Sequence, residues 1–382
     1  MGHSRITTLT LLGAGLLGAL AGACGESAPA RSCGYLPCDA GTTGVAPPPP
    51  PDAGPQLDLG PRGAAFDPKG VARSEGCGKP LPADQPPTVP GTPNGYLKYT
   101  VMLTGTTLAG PDPTRASPRT FWVRVPSDYD PDRAYRLVYV TVGCGSFNDA
   151  NAQTYHLYDE SAGGTEQAVY VAVDLPTDMH NDECFDMRSG AGSEEWEAFA
   201  AIQSVVDSTY CVDDDAIFVD SYGDDEASLA DMWGCYFAGN PEQQRLIGPA
   251  RHIRGQSSVS GGDPDNLPPC NGPIAALWIH DLGDSTPYSA DVHALDRVLA
   301  GNGCQGDNTN SPTVPWPVMP DICKQYTSCP ADYPVVFCTT MGFGHADQRD
   351  RAIPAFTAFA DLVSPATSSP HGDAGAGDAA TE

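Results

Sequence analysis

The stretch Ile274-Ala275-Ala276-Leu277-Trp278-Ile279-His280 runs straight into Asp281-Leu282-Gly283-Asp284-Ser285-Thr286-Pro287-Tyr288. An apolar run of this length, closed by Asp, Gly and Pro, reads as a strand buried on both faces that ends in a loop. Strands of that kind belong to parallel sheets with helices packed above and below. Asp284 then stands just past the carboxyl end of its strand, where open α/β sheets hold their chemistry.

The same pattern recurs on either side. Leu137 to Val142, Ala168 to Val173, Ala216 to Val219 and Pro334 to Cys338 are mostly apolar, whereas Phe121 to Val125 partly alternates like a half-exposed edge strand. Helical patterns lie between them. One is capped by Ser193, carries Glu194, Glu195 and Glu197 in its first turn, and sets Trp196, Phe199, Val206 and Tyr210 on one side. Others span about 227–235, 291–300 and 352–363. Strands alternating with helices predict an α/β fold built on a doubly wound, mostly parallel sheet. Two further strand ends carry candidate chemistry. The strand 334–338 leads to Met341-Gly342-Phe343-Gly344-His345, and the strand 216–219 leads to Asp220-Ser221-Tyr222-Gly223-Asp224-Asp225-Glu226-Ala227.

Outside this core the chain changes character. Residues 1–24 join a short polar start with Arg5 to the apolar run Leu9–Leu20 and then Ala21-Gly22-Ala23-Cys24, which reads as a signal peptide. The small residues before Cys24 resemble a bacterial lipobox; lipidation of Cys24 would make a surface lipoprotein, and simple cleavage would release the chain. Residues 25–92 include the unbroken run Pro47–Pro51 and read as a mostly disordered stalk, with the folded unit starting as early as Cys77. The domain proper covers 93–363, and 364–382 forms a disordered tail.

Charge and cysteines narrow the function. With 48 acidic against 20 basic residues the net charge is −28, which excludes nucleic acid as a partner and leaves contact with a membrane to the N-terminal anchor alone. Of 13 cysteines, ten fall between Cys77 and residue 363 and show no CxxC spacing. They read as disulfides of a single domain in an oxidising, extracellular or cell-surface compartment, not as zinc ligands. The acidic run Asp213-Asp214-Asp215, Asp220, Asp224-Asp225-Glu226 and Asp231 lacks the spacing of a calcium loop and reads as a solvated rim. No metal and no cofactor are expected.

Taken in order, these segments resemble a known family. Phe121-Trp122-Val123-Arg124-Val125-Pro126, Gly143-Cys144-Gly145, Tyr210-Cys211-Val212-Asp213, Gly234-Cys235, Ile279-His280, Gly303-Cys304, Tyr333-Pro334-Val335-Val336 and Gly344-His345 are similar to secreted feruloyl esterase and polyhydroxybutyrate depolymerase-like α/β-hydrolases. The resemblance implies that fold for nearly the whole domain. It also implies an Asp284–His345 acid–base pair and an oxyanion loop made by the backbone of Gly143, Cys144 and Gly145. The ligands it implies are phenolic esters, polyesters or a polysaccharide.

This chain departs from the family at the nucleophile. The family's Gly-x-Ser-x-Gly falls between Phe218 and Cys235, where the serine position lands on Gly223 or Asp224. The family's His-Gly ahead of the oxyanion loop is Val142-Gly143 here. The principal reading is a pseudoenzyme that binds esters or polysaccharides without hydrolysing them. Two active alternatives stand beside it: Asp224 as a carboxylate nucleophile, or an off-register serine such as Ser221, with Ser228 nearby. Trp316, between Pro315 and Pro317, is the candidate for stacking on a sugar or an aromatic acid.

Overall fold

The computed structural model describes residues 73–81, 97–126, 129–142, 168–174, 185, 192–223, 228–238, 253–261, 270, 272–345 and 348–364. Cys24, Gly143, Cys144, Gly145 and Asp224 lie outside the described residues, as do the signal segment, most of the stalk and the tail. In chain order the strands are β1 (Leu97–Met102), β2 (Thr106–Thr107), β3 (Gly110–Pro111), β4 (Pro118–Arg124), β5 (Tyr135–Val142), β6 (Ala168–Val173), β7 (Val212–Tyr222), β8 (Ile253–Val259), β9 (Ala275–Asp281), β10 (Thr313–Pro315), β11 (Cys323–Tyr326) and β12 (Val335–Thr340). The helices are α1 (Glu195–Thr209) between β6 and β7, α2 (Ser228–Phe237) after β7, α3 (Tyr288–Gly301) after β9 and α4 (Arg349–Val363) after β12.

Ten strands form one sheet in the order β1-β4-β6-β5-β7-β8-β9-β12-β11-β10. From β6 to β12 every neighbouring pair is parallel, while β1, β4, β11 and β10 pair antiparallel at the two edges. Successive side chains of a strand point to opposite faces, and two clusters result. Leu137, Tyr139, Ile217, Val219, Ala276, Trp278, Val335 and Phe337 face α1, α2 and α3. Val138, Val140, Phe218, Leu277, Ile279, Val336 and Cys338 face α4 through Phe356, Phe359 and Val363. Helices cover both faces, as the apolar runs predict. The fold is α/β with a doubly wound, mostly parallel sheet.

Several local expectations need correction. Strand β8 was not expected, because its buried positions are Gly255, Gln256, Ser257 and Ser258 and break the apolar pattern. Those residues are small or bonded: Gly255 lies under the Phe218 and Phe359 rings, and Gln256 Nε2 donates to Asp231 Oδ1 on α2. The start of α1 differs by one residue, although Ser193 Oγ does accept from the Glu195 N–H at 3.0 Å. Its acidic first turn does more than face the helix dipole. Arg119 grips Glu195 with both carboxylate oxygens at 2.7–2.9 Å, and Arg115 reaches Glu194 at 2.7 Å, fixing α1 to the β4 side of the sheet. Among the described residues of the acidic run Asp215 is exposed, but Asp213, Asp214 and Asp220 on β7 and Asp231 on α2 are buried and form no solvated rim.

The chain enters this fold earlier than Leu97. Arg73 bridges to Asp213, Ser74 Oγ donates to the Tyr210 carbonyl at 2.6 Å, and Cys77 is bonded to Cys211. Among the described residues three more disulfides join Cys235 to Cys270, Cys304 to Cys329 and Cys323 to Cys338. Cys144 and Cys184 lie outside the described residues.

Two tests follow from this packing. A Cβ added at Gly234 would fall 2.2 Å from Gln256 Oε1 and 2.8 Å from Gln256 Cβ. Gly234→Ala is therefore expected to cost about 1–3 kcal/mol, read as a lower urea midpoint at unchanged slope. Burial pushes the Asp213 carboxyl up to about 6. A carboxyl raised on folding lends its stability below its unfolded value and loses it as pH climbs through the folded one. Asp213→Asn should thus gain on the wild type between about pH 4 and pH 6, by on the order of 2 kcal/mol in urea titrations.

Candidate active site

Three neighbouring strands, β8, β9 and β12, deliver the site at their carboxyl ends. Strand β9 ends at Asp281, the Leu282 N–H continues the pairing to the Thr340 carbonyl at 2.9 Å, and the chain then turns so that the Asp284 N–H meets the Asp281 carbonyl at 2.9 Å. Asp284 Oδ1 accepts from the Thr286 N–H at 2.8 Å, which locks the loop that leads into α3. Strand β12 ends at Thr340, and the following loop carries His345 back over β9. His345 Nδ1 lies 2.7 Å from Asp284 Oδ1. The Asp284 side chain is fully buried and that of His345 is 27% exposed, so the carboxylate sits behind the ring and the ring faces outward.

This geometry holds a proton on Nδ1 and turns Nε2 to the side away from Asp284. That is the tautomer a general base needs. Burial pushes the Asp284 carboxyl up, but the hydrogen bond from His345, the Thr286 N–H, the His345 charge and, last, the Ser260 hydroxyl outweigh it and hold it below the usual carboxylate range. Tyr222, at the end of β7, steadies the other strand end by donating from Oη to the His345 carbonyl at 3.0 Å.

Other sequence candidates fall elsewhere. Ser221 is fully buried within β7, with its Oγ against the Thr141 hydroxyl of β5. It faces the sheet interior and not the mouth of the site. Ser228 opens α2. Trp316 is not a stacking platform. It is 2% exposed and packs in the α4-side cluster, because the β10–β11 hairpin folds back and its N–H bonds the Cys323 carbonyl at 2.9 Å. On the loops that carry Asp284 and His345, Leu282 is 51% exposed and Met341 75% exposed. Phe343 stands with them, the Arg351 guanidinium 3.6 Å from its ring centroid.

Sequence reading missed a second set of residues at the same strand ends. Ser260 follows β8 with φ +55, the one non-glycine left-handed residue among those described. Its hydroxyl accepts from Gln348 Nε2 at 3.1 Å. Thr340 and Asp281 complete the set, the latter collecting donors from both loops. A carboxylate at a strand exit, three residues before Asp284 and facing a Gly-x-Gly loop, was the visible signal.

With order and geometry in place, comparison with known proteins becomes informative. No family model matches the chain. A curated Aspergillus niger protein described as "Probable feruloyl esterase C" is 25% identical over 200 residues, 51% of this chain and 66% of that protein. Its Aspergillus clavatus counterpart is 25% identical over 258 residues, 65% of this chain and 76% of that protein. The chain has an α/β-hydrolase fold and is similar in sequence to these feruloyl esterases. The match with the Aspergillus niger protein spans just under two thirds of that protein's length. Among solved structures, the Thermogutta terrifontis esterase Est2 aligns over 75% of this chain and 97% of its own at 11% identity, with a TM-score of 0.46. A feruloyl esterase module from Clostridium thermocellum complexed with sinapinate covers 76% of this chain and 96% of its own at 12% identity, with a TM-score of 0.42. Both scores fall below 0.5, and the fold rests on the sheet order and the curated relatives.

The Asp284 carboxyl lies below its ordinary range, so its stabilising effect is present above the unfolded value near pH 4 and is lost as pH falls through the folded one. Unfolding free energies of Asp284→Asn from urea titrations should trail the wild type at pH 5 and pH 7 by about 1–3 kcal/mol, and the gap should narrow once pH falls below about 4. An equal gap at every pH would contradict the depressed carboxyl.

Proposed function

We propose that this protein binds carboxylic esters, with phenolic esters as the leading class, beside the Asp284–His345 pair, and does so without a serine acyl-enzyme cycle. One observation carries the reading. The acid–base pair is complete at 2.7 Å, while the segment between Phe218 and Cys235 offers only Ser221 and Ser228. Ser221 is buried against Thr141. The named activity of the Aspergillus relatives and the exposed apolar side chains Leu282 and Met341 on the loops that carry Asp284 and His345 support an aromatic acyl group as the part recognised. The four disulfides and the leader-like start support an extracellular or cell-surface protein, lipidated on Cys24.

The intact pair favours one second reading. Asp224 would attack an alkyl carbon, forming an enzyme ester and expelling the leaving group. Water, giving its proton to His345 Nε2, would then add to that ester's carbonyl; collapse restores the Asp224 carboxylate and expels the alkyl group as an alkoxide, which takes the proton back from His345 and leaves as the alcohol.

Titration calorimetry of the full chain with methyl ferulate, run beside hydrolysis of a short-acyl nitrophenyl ester, separates these. The expected result is saturable binding weakened about tenfold or more in His345→Ala, with no turnover above that variant. Ester turnover that vanishes in His345→Ala would overturn the non-hydrolytic reading, whereas the second reading predicts turnover of an alkyl halide or epoxide that is lost in Asp224→Asn. Labelling of Ser228 by a serine-directed phosphonate would overturn both.

A further inference from the structure

The geometry points to Asp281 as the positioning residue of this site, an internal anion that sets the distance between the Asp284 loop and the His345 loop. The inference rests on reading Asp284–His345 as the working pair. The Asp281 side chain belongs to neither loop's tip, yet both loops close on it. From the Asp284 side, the Gly283 N–H donates to Oδ1 at 2.8 Å. From the His345 side, the Gly342 and Gly344 N–H groups donate to Oδ1 at 3.2 and 3.1 Å, and the Phe343 N–H and Thr340 hydroxyl donate to Oδ2 at 3.0 and 2.8 Å. Five donors on one buried carboxylate bridge segments about 60 residues apart.

The backbone of the His345 loop is shaped for this anion. Gly342 at φ +89 and Gly344 at φ +62 take left-handed conformations that L side chains rarely adopt. Alternating handedness turns consecutive N–H groups toward one point, a nest that usually receives an external anion. Here the chain supplies its own. Burial pushes the Asp281 carboxyl up, but the Phe343 and Gly283 N–H groups, the Thr340 hydroxyl and the Gly344 N–H outweigh it, and the group stays below the ordinary carboxylate range. Further polar side chains stand close, with Gln348 Oε1 as a second acceptor for the Thr340 hydroxyl. Thr340 Oγ1 lies 3.2 Å from Gln348 Oε1, Gln348 Nε2 donates to Ser260, and the Ser260 hydroxyl adds to the lowering of Asp284. The residue directly before His345 and the residue directly before Asp284 are thus both held by Asp281.

Asp281→Asn keeps the shape and replaces one acceptor oxygen with a donor that faces donors. Ring-nitrogen NMR on the 15N-labelled full chain reads the consequence without needing turnover. In the wild type, neutral His345 should be a single Nδ1–H tautomer. In Asp281→Asn it should become a mixture, and the Gly342–Gly344 amides should exchange about tenfold faster or more. Thr340→Val, which removes one donor of the five, should shift both readouts the same way by less. Asp207→Asn, which alters a buried carboxylate on α1, serves as the control for general destabilisation. His345 resonances that superpose in Asp281→Asn and wild type would overturn the proposal, as would an equal change in Asp207→Asn. Failure of ester binding in the wild type would count against the functional reading alone, since the tautomer is measured without ligand.

Discussion

A parallel run of six strands has both faces covered by helices, and this constraint governs everything polar in the molecule. Side chains along the strands must be apolar, very small or hydrogen-bonded, since an unbonded polar group there loses water and gains nothing. At the carboxyl edge the strands release Tyr222, Ser260, Asp281 and Thr340 within bonding reach of the loops that follow. Asp284 and His345 meet because β9 and β12 are adjacent and in register, with Thr340 opposite Asp281. The site is a consequence of strand order before it is a consequence of any single residue.

A chain carrying −28 charges must also decide where its buried acids go. Three solutions occur. Glu194 and Glu195 are met by the Arg115 and Arg119 guanidiniums, whose planar fork suits a carboxylate. Asp281 is met by N–H groups and a hydroxyl, which keep it charged without a cation nearby. Asp213, with a backbone N–H from Asp215 as its main donor, is pushed toward the neutral form. The buried pair His280–Asp291, Nδ1 and Oδ2 2.6 Å apart, pins α3 to β9 by a hydrogen bond. Stability therefore responds to pH with opposite signs at different acids, and the sign at each follows from its donors.

The core strands and helices were legible because burial on both faces writes itself as uninterrupted apolar runs, as in Ala168–Val173, where expected and observed bounds coincide. Strand β8 was illegible for the converse reason: Gly255-Gln256-Ser257-Ser258 is buried for close packing and bonding, and hydropathy does not register either. Strand β1 lay inside the expected domain but was not read as a strand, since its half-exposed residues alternate only weakly. Trp316 misled because flanking prolines signal a loop but say nothing of where the loop folds. Asp284 and His345 could be placed by their strand ends. Asp281 could not, because its role depends on donors some sixty residues away in sequence.

The retained pair acquires a particular meaning in a chain whose elbow reads Gly223-Asp224-Asp225-Glu226. A serine must surrender a proton before it attacks, and the imidazole exists to take it. A carboxylate is already charged at neutral pH and has no proton to give. If no serine supplies one, the proton that His345 accepts must come from water or from the ligand itself. A phenol, ionising near pH 10, offers a hydrogen that Nε2 can share without removing it, as a strong directional bond. On the proposed binding reading, an acid–base pair suited to proton transfer would serve instead to recognise a hydroxyl-bearing aromatic ring.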